Sequence, residues 1–121
     1  MTASSDSGER KDAAADVPPL TYDANGLIPA IIQDDASGDI LMLGYMDEEA
    51  LRRTLERDLV TFWSRSRQEY WTKGETSGNV LHLKSIRKDC DVDALLVRAV
   101  PAGPTCHTGA PSCFYRTLQE V

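Results

Sequence analysis

Apolar and polar positions follow one another along this chain in short strand-like runs, broken once by a stretch with the helical period. Residues 27–33 and 40–45 are apolar runs separated by turn chemistry at 34–39, including Gly38, which predicts a β-hairpin with a longer loop. Asp47 then offers an N-cap, Glu48 and Glu49 suit the positive end of a helix dipole, and Ala50, Leu51 and Leu55 form one apolar stripe. That combination predicts a helix over about 47–57. Glu48 with Arg52 and Glu49 with Arg53 stand four apart in the favourable order, so the outer helix face reads as solvated ion pairs. Further strand-like runs lie at 59–64, 80–86 and 94–100, separated by a Gly-containing loop at 73–79 and by 89–93. One main helix against about five strands predicts a mostly β, α+β fold, because the strands do not alternate with helices as a doubly wound parallel sheet demands. Residues 1–19 are polar and end in Pro18-Pro19, which predicts a disordered N-terminal extension ahead of a single domain over 20–121.

Composition narrows the classes of function. A chain of 121 residues holds one modest core, and 41% hydrophobic with 26% charged residues is the balance of a globular protein. No apolar run approaches the roughly 20 residues that a membrane helix needs, so no membrane partner is expected. A net charge of −6 argues against a nucleic-acid coat and leaves room for a local anion pocket. Three cysteines are an odd number, and the N-terminus has neither the basic nor the apolar region of a secretory signal. A cytoplasmic location follows as the expectation, with thiols free for metal or catalysis.

Candidate chemistry concentrates in the last third. Cys90, Cys106 and Cys113 lie there with His107, and His82 stands just before. The spacing is not that of paired zinc-ribbon cysteines, so zinc ligation and buried inert thiols stand level on spacing alone. Three thiolates on zinc would leave one position for water. They would also acidify that water less than three neutral histidines do, so a base would be needed. His107, beside a candidate ligand, is the natural one; the plainer reading is a hydrogen-bonded loop histidine. Asp89, Asp91 and Asp93 alternate, which on an extended strand brings three carboxylates to one face, suited to a hard cation such as Mg²⁺, Mn²⁺ or Ca²⁺, and sends Cys90 to the other. The plainer reading is an acidic strand edge. Trp63, Arg65 and Arg67 fall on one side of an extended segment, and the 73–79 loop offers Lys73, Thr76, Ser77 and Asn79. Such groups suit phosphate oxygens, with Trp63 or Trp71 to stack on a base, although such a loop is more often only a turn.

Together these stretches resemble the phosphoribosyl-AMP cyclohydrolase family of histidine biosynthesis, through the ordered blocks GLIPAIIQD, LMLGYMDEEAL, WSRSR, KGETSGN, DCDVDALL and CHTGAPSCF. The resemblance implies a barrel-like β structure capped by the one helix, in a homodimer. It implies zinc on Cys106 and Cys113 with Cys90 from the other subunit, and magnesium on Asp89, Asp91 and Asp93. It also implies hydrolytic opening of the adenine N1–C6 bond of phosphoribosyl-AMP by a zinc-bound water. An inactive, zinc-stabilised nucleotide-binding module is the alternative; the intact HTG after Cys106 and the intact aspartate set favour the enzyme. Two positions depart from the family pattern, Asp58 at a helix end where Gly is common and Thr72 where His is frequent.

Overall fold

The computed structural model describes residues 16–121. Most of the expected N-terminal extension, 1–15, lies outside the described residues; within the remainder, Val17 packs against the core together with Leu20 and Tyr22. The elements are β1 (Ile28–Asp34), β2 (Ile40–Met46), α1 (Glu48–Arg57), β3 (Thr61–Ser64), β4 (Glu69–Thr72), β5 (Leu81–Lys88) and β6 (Leu95–Pro101).

Two sheets result. β2, β1, β6 and β5 form a four-stranded sheet in that order, with β1 and β6 parallel and the outer pairs antiparallel; β3 and β4 form a two-stranded ribbon. The α+β class is as expected. The expected barrel is not formed, because closure past β5 reaches only a bridge between Leu59 and His82, with hydrogen bonds from Val60 N to the Leu81 carbonyl and from Leu83 N to the Asp58 carbonyl. Beyond Val60 the chain leaves β5 and pairs with β4 instead, a strand that the sequence reading passed over.

Alternation puts Ile28, Ala30 and Ile32 of β1 on one face beside Met42 and Met46 of β2 and Leu95, Val97 and Ala99 of β6, all buried. Ala50 and Leu51 of α1 and Phe62 of β3 cover them, so the apolar face is buried without a closed barrel. Gly44 permits this: a Cβ there would stand 2.5 Å from the Phe62 ring. Asp47 caps the helix by accepting from Ala50 N at 2.8 Å, and its other oxygen accepts from the Tyr70 hydroxyl at 2.7 Å, tying β4 to the helix start. Asp58 ends the helix at φ 59, a left-handed conformation that Asp tolerates, so its departure from Gly leaves the helix end intact.

The buried Thr54 hydroxyl donates to the Ala50 carbonyl and accepts from Thr61 N, each at 2.9 Å, joining helix to ribbon. Thr54→Val keeps the volume but strands the Thr61 amide, which should cost about 1–3 kcal/mol. Chemical denaturation checks this, and an unchanged midpoint would refute the role of that bond.

Candidate metal and substrate site

Cys106 and Cys113 flank a tight turn beyond β6. Thr105 N donates to the Pro111 carbonyl at 3.2 Å, Cys106 N to Ala110 at 3.1 Å and Gly109 N to Cys106 at 2.9 Å, and the fold-back needs Gly109 at φ 94. Cys113 is pinned to β2 by its amide on the Leu41 carbonyl at 2.7 Å. The two thiols are near enough to shift one another's titration. The Thr108 hydroxyl, 3.1 Å from Cys106 Sγ, and the Thr108 amide hold that thiol below its usual range, while burial pushes Cys113 up. Lys73 favours the thiolate form of both. Two neighbouring thiols, one of them biased toward thiolate, with a cation near both, are a donor set that fits zinc. His107 stands at the tip of the turn, exposed, and its imidazole has no hydrogen-bond partner among the described residues.

The aspartates converge, but not by strand alternation. β5 ends at Lys88 and residues 90–93 are a turn in which Val92 adopts φ 57. Val92 N donates to the Asp89 carbonyl at 3.0 Å, and Asp89 Oδ1 accepts from Asp93 N at 3.0 Å and Ala94 N at 3.3 Å. One oxygen each of Asp89, Asp91 and Asp93 then lies within 4.8 Å of the others. Against a desolvation cost, the amides of Asp93, Ala94 and Val92 hold the Asp89 carboxyl low, whereas its hydrogen bond to and charge on Asp93 push that group up. Three exposed carboxylates that repel one another fit a hard divalent cation such as magnesium.

The turn also corrects the expectation for Cys90. Its exposed thiol lies 3.9 Å from Asp91 Oδ1 instead of on an opposite strand face. Among the described residues the aspartates are the only three or more His, Cys, Asp or Glu groups close enough to share one ion, so a single chain does not gather Cys90 with Cys106 and Cys113.

The expected row of Trp63, Arg65 and Arg67 is likewise broken, since β3 ends at Ser64 and residues 65–68 turn, with Gln68 at φ 56. The side chains stay close by stacking. The Arg65 guanidinium lies 3.9 Å from the centroid of Tyr45, and Arg67 and Lys73 lie 5.9 and 5.4 Å from that of Trp71. Two cavities meet there. One, of about 210 Å³, is lined by Arg67, Trp71, Lys73, Thr76 and Ser77, with Glu69 and Glu75 at its wall. The other, of about 620 Å³, has Tyr45, Trp63, Ser64, Arg65 and Ser66 on its walls and shares Trp71 and Arg67 with the first.

Asn79 instead buttresses the loop: its backbone faces Gly74 and its side chain faces Gly103, leaving no room for a Cβ at either glycine. Thr72 is buried with its hydroxyl 2.9 Å from that of Thr61, so that hydroxyl is engaged within the β3–β4 ribbon. The sequence reading did not single out Tyr45 or Thr108. The hydroxyl two residues after Cys106 was a signal for the second; the first is read only from the turn that folds Arg65 back over β2.

Comparison with known proteins adds one family match and three relatives. Residues 42–115 match the family model described as phosphoribosyl-AMP cyclohydrolase. The chain is 56% identical over 107 residues to a phosphoribosyl-AMP cyclohydrolase of Cereibacter sphaeroides, covering 88% of this chain and 90% of that protein. One from Paracoccus denitrificans is 54% identical over 105 residues, 87% of each. A histidine biosynthesis bifunctional protein HisIE of Photobacterium profundum is 66% identical over 90 residues, which are 74% of this chain and 44% of that longer protein.

Proposed function

The chain belongs to the phosphoribosyl-AMP cyclohydrolase family, and we propose that it works through a soft zinc site on its cysteines and a hard magnesium site on its aspartates. Its activity is the hydrolysis that gives the family its name, a step of histidine biosynthesis in which water adds at adenine C6 and the N1–C6 bond breaks. The turn that sets His107 between Cys106 and Cys113, beside the Lys73 that also lines the smaller cavity, is the observation that carries this reading.

Cys106 and Cys113 would hold zinc with Cys90 of a second subunit. Zinc, when bound, polarises and acidifies a water. His107 would take one proton from the attacking water as its oxygen joins C6 and deliver it to N1 as the N1–C6 bond breaks, while the second proton goes to the exocyclic nitrogen, an imine in the neutral N1-substituted ring. The oxygen becomes the carbonyl of a carboxamide that keeps the exocyclic amine, and N1 leaves with its ribosyl group. Asp89, Asp91 and Asp93 would hold magnesium near the substrate's anionic groups.

Two features support a homodimer. Within one chain Cys90 does not join the other cysteines. On the sheet face away from the core, Leu43, Ile31 and Leu96 stand in register as an apolar row, with Leu43 44% exposed. A cytoplasmic location agrees with a biosynthetic enzyme, and among the described residues no helix is long and apolar enough to cross a membrane.

Turnover of phosphoribosyl-AMP should vanish with a zinc-selective chelator and, separately, when magnesium is omitted, each restored by its own ion. Absorbance of the opened product reports it. Full activity without zinc, or without magnesium, would remove the corresponding assignment.

A further inference from the structure

The substrate carries two phosphates, one on the ribose of its AMP half and one on the phosphoribosyl group at N1, and two cation-lined cavities meet at Trp71. The geometry points to a division of labour: the small cavity at Lys73 takes the N1-phosphoribosyl arm, and the larger groove at Arg65 takes the AMP half. This rests on the cyclohydrolase reading and goes beyond it by assigning the two ends of the substrate.

Size is the first ground. A sugar phosphate is the smaller arm, and the small cavity measures about 210 Å³ against about 620 Å³ for the groove. Aromatic surface is the second. The groove is walled by Trp63 and Trp71, rings on which a purine can stack, and Arg65, which lies over Tyr45, stands with Ser64 and Ser66 at hand for its phosphate. Trp71 borders both cavities, so a ligand spanning them passes its base across that ring.

Position is the third ground. N1 is bonded to the reacting C6, whereas N9 lies across the purine, so the N1 arm must bind on the thiol side. The Lys73 loop is built against the segment leading to Cys106: Ala102 N donates to the Val80 carbonyl at 2.9 Å, and Asn79 presses on both Gly74 and Gly103. Within the small cavity Arg67 is paired with Glu69 at 3.4 Å, and Glu75 turns an oxygen to Thr72 N at 3.1 Å. Lys73 therefore supplies the cation there. The Ser77 hydroxyl accepts from Asn79 N at 3.2 Å and keeps its proton to donate.

The test uses the metal-loaded enzyme and three substrates: phosphoribosyl-AMP, its analogue lacking the AMP-side phosphate, and its analogue lacking the N1-side phosphate. Lys73→Met and Arg65→Met should each lower kcat/KM for the full substrate by roughly tenfold or more, the loss of a charge-assisted contact. The Arg65→Met penalty should disappear on the analogue lacking the AMP-side phosphate and persist on the other. The Lys73→Met penalty should do the reverse, with zinc content unchanged from wild type. Swapped penalties, penalties equal on both analogues, or none on the full substrate would overturn the assignment. Loss of zinc with Lys73→Met would overturn the phosphate role of that residue. Wild-type enzyme that does not turn over phosphoribosyl-AMP at all would instead sink the underlying reading.

Discussion

His107→Ala should lower kcat by roughly a hundredfold or more while zinc stays bound in stoichiometric amount. The fold does not depend on this imidazole. It is exposed at the tip of a turn held by the amides of Thr105, Cys106 and Gly109, and it has no hydrogen-bond partner among the described residues. A histidine kept for structure would be bonded; one kept for proton transfer must have its ring nitrogens free to meet the substrate. The alanine variant should therefore melt as wild type does and keep the thiol pair in place. If zinc activates the water as proposed, the remaining activity should still require zinc, because that activation would not pass through this ring. Metal analysis beside steady-state kinetics decides the case. Loss of zinc together with activity would make His107 a ligand or a prop, and the base role would be withdrawn.

The helix and the hairpin were legible because their signals are local: the Asp47 cap, the Asp58 end, and the turn residues between β1 and β2. What escaped was set by turns whose residues do not announce them. Gln68 and Val92 both take positive φ, a conformation that favours Gly or Asn and that nothing in Gln or Val suggests. Each converts an expected extended segment into a reversal. At Gln68 the reversal creates β4 and brings Arg65 over Tyr45; at Val92 it gathers the aspartates by a turn. The aspartate set was thus anticipated for a reason that does not hold, since alternation and a tight turn can place the same three residues together. Barrel closure was likewise beyond local pattern. It depends on whether the segment after Val60 pairs with β5 or with β4, a contest between two partners that periodicity does not rank.

Cys90→Ser and Cys106→Ser should each be inactive alone, and mixing the two proteins should restore activity. Within one chain Cys106 and Cys113 stand together while Cys90 lies by Asp91, outside any group that could share one ion with them. A site made of all three then draws Cys90 from a second copy, and two-fold symmetry gives each dimer two such sites. In a mixed dimer one site receives both serines and the other is assembled from native cysteines only. With equal amounts and random pairing about half the dimers are mixed, each with one whole site of two, so recovery should approach about a quarter of wild type. The same arithmetic separates this arrangement from its rivals. If each chain built its own site, every site in the mixture would carry one serine and activity would stay at background. If both sites of a dimer had to be whole for either to work, mixing would again recover nothing. A control pair, Cys106→Ser with Cys113→Ser, places both lesions on the same side of the interface, so each site keeps one defect whatever the pairing. It should show no recovery at any ratio. Mass spectrometry establishes that subunits have exchanged, and background activity in the Cys90–Cys106 mixture after exchange would end the shared-site reading.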